Sequence, residues 1–322
     1  MLKTLLTERW GLRYPIVGAP MAGIAFGPLA RAVTEAGGLG CIGIGAQDPV
    51  TRIADESQIA SDGGKLRFGI GLMEWAVRLR PELFDATLEA KPFLIALSFG
   101  DVAPYVERVH AAGAILATQV QSRDAAIAAE RAGADIIVAQ GTEAGGHTGE
   151  VATLTLLQVV LEAVKLPVIA AGGIASGRGL AAALAAGACG AWIGTPLLAS
   201  PEAHNSQAAR DRVVAARENE TVLTRLFDRV QNIPWPTQFP GRALQNDFTK
   251  KWHGHEDAAA NDPEAMTTFR RAKDKGDYAV SFIYAGQGVG LVDRERAAGD
   301  VVRDIGDGAE ALLRKRFREL FV

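Results

Sequence analysis

The chain has 322 residues, 48% of them hydrophobic, and a formal net charge of −3. That balance argues against nonspecific nucleic-acid binding, and no basic block stands out. The N-terminal stretch is too charged for a signal peptide, and no run reaches the ~18 apolar residues of a membrane span. A cytoplasmic protein is therefore expected. The two cysteines, Cys41 and Cys189, form no CxxC pair and sit in apolar stretches. They read as buried thiols in a reducing compartment, with no disulfide.

Short apolar runs alternate with alanine-rich helical segments. Eight runs read as strands, at residues 15–19, 39–44, 67–71, 93–98, 115–119, 136–139, 168–171 and 191–194. Continuous apolar strands suit a parallel sheet buried on both faces. Four helices end on a glycine that leads straight into a strand: Gly37, Gly113, Gly133 and Gly187. Each is placed to adopt the left-handed conformation that ends a helix. An open doubly wound sheet uses such units too. Eight units without a long break favour a TIM-type (β/α)8 barrel over residues 1–200, an α/β fold that needs about 250 residues when complete.

After Ser200 the pattern changes. Residues 201–226 read as a charged helix, 232–254 as irregular, 262–275 and 299–320 as helices. The expectation is a mainly helical extension, 201–322, covering one rim of the barrel. For residues 238–246, closure over a ligand, an interface and a plain surface loop all stay open.

Active sites of such barrels form where strands end. The first strand leads into Met21. The sixth leads into residues 140–149, with four glycines in ten residues and His147 among them. A lone histidine is more often structural. A place on a glycine-rich rim loop, in a chain of five histidines, points instead to chemistry. Neutral imidazole takes a proton from a carbon acid, and imidazolium holds an anion; both roles are open. Glu143 reads as a partner supporting the site residues or, more simply, as a solvated loop charge, and Glu56 and Asp62 read as solvated faces. The seventh strand leads into Gly172 and Gly173, and the eighth into Gly194 and Thr195. This pair of loops is the usual phosphate site of the fold, because glycines expose backbone N–H donors. The ring of Trp192 reads as barrel filling, with its backbone and that of Ile193 beside the phosphate.

At these residues the sequence resembles the nitronate monooxygenase family, formerly called 2-nitropropane dioxygenases. The resemblance runs over about residues 2–200, with a weaker echo at 285–290. It is carried by Pro15-Ile16-Val17-Gly18-Ala19-Pro20-Met21, Ala36-Gly37-Gly38-Leu39-Gly40, the 140–149 and 170–179 loops, and Trp192-Ile193-Gly194-Thr195. It implies non-covalent FMN. Met21, Gln140 and Gly145 would contact the flavin. Gly172, Gly173, Trp192, Ile193, Gly194 and Thr195 would hold its phosphate end, and His147 would be the catalytic residue near N5. It also implies oxidation of alkyl nitronates by O2 to a carbonyl compound and nitrite, after one-electron transfer from the nitronate. Two departures are visible. Many members carry asparagine at the end of the third strand, where this chain has Gly71. A late tyrosine- and lysine-bearing segment of one subgroup is absent, and Tyr278 and Tyr284 stand in a different context.

The alternative within the same class is an FMN-dependent NAD(P)H reductase of a quinone or enoyl thioester. A flavin-free isomerase or lyase of a sugar phosphate, or a flavin-binding protein without turnover, would use the same loops. A homodimer is compatible with every reading and required by none.

Overall fold

The computed structural model describes residues 2–320. Eleven strands follow in chain order: β1 Ile16–Gly18, β2 Cys41–Gly43, β3 Gly69–Met73, β4 Leu94–Ser98, β5 Ile115–Val120, β6 Ile136–Gln140, β7 Gly146–His147, β8 Val168–Ala171, β9 Gly190–Ile193, β10 Thr221–Thr224 and β11 Gly241–Leu244. Eight of them form one parallel sheet in the order β1-β9-β8-β6-β5-β4-β3-β2. A bridge between Val17 and Leu39 joins its two edges. Its hydrogen bonds run from Gly18 N to Leu39 O, 2.9 Å, and from Leu39 N to Ile16 O, 3.0 Å. The eight expected strands are therefore the barrel strands, with ends shifted by up to two residues.

Alternation along each strand builds two cores. Val17, Cys41, Ala96, Val138, Ile169 and Trp192 pack together inside the barrel. Their strand neighbours Ile16, Ile137, Ala170, Ala191 and Ile193 pack outward against the helices. The helix-ending glycines at 37, 113, 133 and 187 all have positive φ, as their place before a strand demands.

The terminal helix Ala298–Leu320 packs against Gly177–Ala185 and against Gly27–Glu35, the helices that follow β8 and β1. Close approach explains a glycine here: a Cβ on Gly177 would lie 2.6 Å from the Ala309 nitrogen. The helix thus stands in the ring position of the eighth unit. Between β9 and this helix the chain is not purely helical. The expected helix at 201–226 resolves into Gln207–Val214, strand β10 and the start of Leu226–Gln231. β-branched Thr221, Val222 and Thr224 favour the extended form there. The segment expected to be irregular contains β11, whose four residues are all buried. β10, β11 and β7 form a separate antiparallel sheet. Its third strand is the His147 loop itself, so this sheet couples residues beyond 200 to the barrel rim.

Candidate active site

A cavity of about 790 Å³ opens over the C-terminal ends of the barrel strands. Gln140, Trp192 and Ala171 contribute to its floor, and its walls come from the barrel loops and from residues 228–235 and 278–288. The volume lies in the ordinary range for small-molecule sites.

One corner is built of glycine. Gly172 has φ +107° and Gly173 has φ +69°, a region that costs a residue with a Cβ roughly 1–2 kcal/mol. A Cβ on Gly172 would also meet Thr153 Oγ1 at 2.6 Å. Gly194 and Thr195 lie on the same cavity wall, and Met21 covers Gly194 (Sδ would be 3.2 Å from an added Cβ). Thr195 Oγ1 accepts from Gly286 N at 2.9 Å. Its proton stays available for donation. Ile193 does not reach the cavity. Its side chain is buried toward the helices, and its carbonyl accepts from Ala19 N at 2.8 Å. The strand alternation that brings Trp192 inward turns Ile193 outward.

The Met21 loop folds across the ends of β2 and β3. A Cβ on Gly43 would meet the Met21 backbone at 2.4 Å, and one on Gly71 would meet Pro20 Cγ at 2.2 Å. The absence of a side-chain amide at position 71 has this steric cause: Pro20 fills the space.

His147 is held from three sides. β7 pairs with β11, with His147 opposite Gly241. The imidazole Nε2 lies 2.9 and 3.0 Å from the two carboxylate oxygens of Asp228. Trp235 stacks on the ring. Tyr284 completes the group by donating its hydroxyl to Asp228 Oδ1 at 3.3 Å. His147 and Asp228 are buried. Burial first, then the charge and hydrogen bond of Asp228, push the Tyr284 hydroxyl well above the usual phenol range, so it remains a donor. Asp228, Trp235 and Tyr284 were not identified from the sequence. They come from the segment whose arrangement in space no periodicity reveals. The one available signal was the odd aromatic and acidic content near a chain region of no clear pattern.

The 140–149 loop is fixed by the same segment. A Cβ on Gly145 would meet Gly286 N at 2.6 Å, so the expected flavin-contacting glycine also serves a backbone-to-backbone approach. Gln287 N donates to Glu143 O at 2.9 Å. Arg242 donates from Nε to Thr142 O at 2.6 Å. Glu143 is not a solvated charge: its carboxylate accepts from Thr153 N at 2.7 Å and Thr153 Oγ1 at 2.6 Å, at the start of the helix Thr153–Ala163. Glu56 likewise accepts from Gly27 N at 2.8 Å, and Asp62 pairs with Arg31 and Lys65. Gln140 is buried and accepts from Gln121 Nε2 at 2.8 Å.

The nitronate monooxygenase family profile matches residues 78–308. The chain belongs to this family. The match extends well past residue 200, beyond which the resemblance read from the sequence was only a weaker echo at 285–290. A Staphylococcus aureus protein named as a probable nitronate monooxygenase is 30% identical over 88% of this chain and 91% of its own length. A Mycobacterium tuberculosis protein provisionally named as a monooxygenase is 38% identical over 69% of this chain, and the chain spans only 60% of that relative's length. Among solved structures, FabK from Thermotoga maritima superposes with a TM-score of 0.86 at 30% identity, covering 99% of this chain and all of that one. A nitroalkane oxidase from Streptomyces ansochromogenes gives 0.82 at 30% identity, covering 98% and 100%. The protein is accordingly an oxidoreductase acting on a small molecule. No helix among the described residues is long and apolar enough to cross a membrane.

Proposed function

We propose that the chain binds FMN in this cavity and oxidises alkyl nitronates with O2, yielding a carbonyl compound and nitrite. The observation that carries the reading is His147 on the wall of the same cavity as the Gly172–Gly173 and Gly194–Thr195 corner.

The residues present fit the cofactor. Gly172 and Gly173 leave a wall without side chains, the cradle a phosphate needs. Among the described residues, the indole N–H groups of Trp192 and Trp75, two residues that line the cavity, are buried and without a partner. Gly173, Gly194 and Thr195 would hold the phosphate end, and Met21, Gln140 and Gly145 the ring. When bound, FMN would take electrons from the substrate carbon and pass them to O2, chemistry no side chain here supplies.

The protein's own part is placement and proton control. Nε2 of His147 lies against Asp228, and an imidazole so placed on the cavity wall can exchange a proton with a carbon acid. Trp235, Phe99 and Trp75, packed edge to face at 5.0 and 5.2 Å, wall the space beside His147. That wall keeps water from the reacting carbon.

A second reading is an NAD(P)H-dependent FMN reductase of a quinone or enoyl thioester. The full-length likeness to FabK supports it, and the fold alone is shared with an enoyl reductase domain from Bacillus amyloliquefaciens at 16% identity. The two readings separate on O2 consumption. With propyl-2-nitronate and FMN-loaded protein, the first predicts O2 uptake with stoichiometric nitrite. No uptake, together with NAD(P)H oxidation in the presence of an enoyl thioester, would transfer the assignment to the second.

A further inference from the structure

We infer that Asp228 is a positioning residue: it fixes His147 as the tautomer protonated on Nε2 and leaves Nδ1 bare toward the cavity, while Tyr284 holds Asp228 in place. The inference rests on the proposed reading of this cavity and assigns the device that makes its histidine a base.

The geometry is specific. Both carboxylate oxygens of Asp228 lie within 3.0 Å of one imidazole nitrogen. A carboxylate only accepts, so the proton of a neutral imidazole must sit on Nε2. Among the described residues Nδ1 has no hydrogen-bond partner, and it is not among the buried atoms left without one. On a side chain that lines the cavity, that nitrogen opens on the cavity. The pairing is also long-range: Asp228 stands on the helix Leu226–Gln231, 81 positions from His147. Tyr284 comes from a third segment, bridged to Ala243 of β11.

Charge supports the same assignment. Among the described residues no lysine or arginine pairs with Asp228; its ion-pair partner is His147. The neighbouring Arg229 pairs with Asp257, and Lys273, which also lines the cavity, donates to Gln231 on the same helix as Asp228. A buried carboxylate without a cation is costly to keep. It is balanced when His147 gains a proton, which is the state a base reaches after working. In that step the substrate Cα–H bond breaks, the proton bonds to Nδ1, and the electron pair moves onto the nitro group to give the nitronate. Asp228 then faces an imidazolium, and Trp235 keeps the ring from rotating.

The test uses FMN-loaded protein with 15N-labelled histidine, the His147 signals being assigned by their loss in His147→Gln. The expected spectrum is that of an Nε2–H imidazole; an Nδ1–H imidazole overturns the inference. Turnover is then compared for a neutral nitroalkane and for its preformed nitronate. In Asp228→Asn the nitroalkane kcat should fall about 100-fold or more, the usual scale of a lost general base, while nitronate kcat stays within about threefold. An equal fall on both substrates, with the tautomer unchanged, overturns the assignment and leaves Asp228 a purely structural residue. Should Asp228→Asn fail to fold, the wild-type tautomer and Tyr284→Phe decide. That variant should lower nitroalkane kcat about threefold to tenfold and spare the nitronate, the scale of one long hydrogen bond of 3.3 Å, since Asp228 keeps its contact with His147. Protein that turns over neither substrate sinks the nitronate reading, and the tautomer spectrum still judges Asp228 on its own.

Discussion

Trp235 lies flat on His147, with ring centroids 3.4 Å apart and planes 9° from parallel. The contact joins a residue of the barrel rim to one from the segment after β10. Trp235 is itself braced edge-on by Trp75 and Phe99. Such a stack is worth about 1 kcal/mol beyond the area it buries. Trp235→Ala should therefore lower kcat/KM for a neutral nitroalkane roughly fivefold through a looser imidazole, and Trp235→Phe should keep most of that activity. Identical kinetics in wild type and Trp235→Ala would show that the stack does not orient the ring.

Gly286 offers a steric test of how the site is assembled. A Cβ there would lie 2.4 Å from Glu143 O and 2.7 Å from Gly145 N, both backbone atoms that cannot move aside alone. Gly286→Ala should cost on the order of 1–3 kcal/mol and weaken FMN retention, because Thr195 and the 143–145 loop lose their partner. Gly308→Ala is the control. Its Cβ would meet Gly177 Cα at 3.5 Å and Gly177 N at 4.0 Å, both ordinary contacts, within a helix, so the variant should be unchanged or up to about 1 kcal/mol more stable. Urea unfolding and FMN titration read both effects.

Stability should fall at high pH, in part through Tyr284. Its hydroxyl titrates well above 10 in the folded protein, from burial and from Asp228. The unfolded chain releases that proton near the ordinary phenol value, so above about pH 10 the unfolded state binds fewer protons and gains on the folded one. The contribution is fully present below pH 10 and is lost as pH rises beyond it. Tyr284→Phe should show a shallower decline between about pH 9 and pH 11. Tyr14 and Tyr105 are also raised but shift equally in both proteins. Parallel curves would contradict the buried hydrogen-bonded hydroxyl.

Both thiols should be inert in the native protein. Burial pushes Cys189 up to about 12 and Cys41 higher still, and neither is in a disulfide. Because the thiolate is the reactive species, a thiol reagent near pH 8 should label neither until denaturant is added. Rapid native labelling of Cys41 would contradict its place inside the barrel.

The barrel was legible because each strand is a continuous apolar run and four of the helices before them end at a glycine. His147, Gly172, Gly173, Gly194 and Thr195 were legible for the same reason: strand ends give their places. Asp228, Trp235 and Tyr284 were not, since they reach the site by tertiary docking across long separations. Short β10 and β11 escaped because four residues carry little periodicity, and Arg242 in β11 masks a buried strand by spending its guanidinium on Thr142 and Thr221. The terminal helix looked like part of an extension; its packing on the helices after β8 and β1 leads us to propose that residues 201–297 are an insertion within the eighth strand–helix unit.

The central claim is that this cavity holds FMN that an alkyl nitronate reduces. The most direct measurement is the anaerobic visible spectrum of the FMN-loaded protein before and after addition of propyl-2-nitronate. The account predicts bound oxidised flavin that bleaches on mixing and recovers its colour when O2 is admitted. Flavin that binds but keeps its colour with nitronate, and bleaches with NADH or NADPH, would contradict the claim in favour of a reductase; a protein that cannot bind FMN would contradict both.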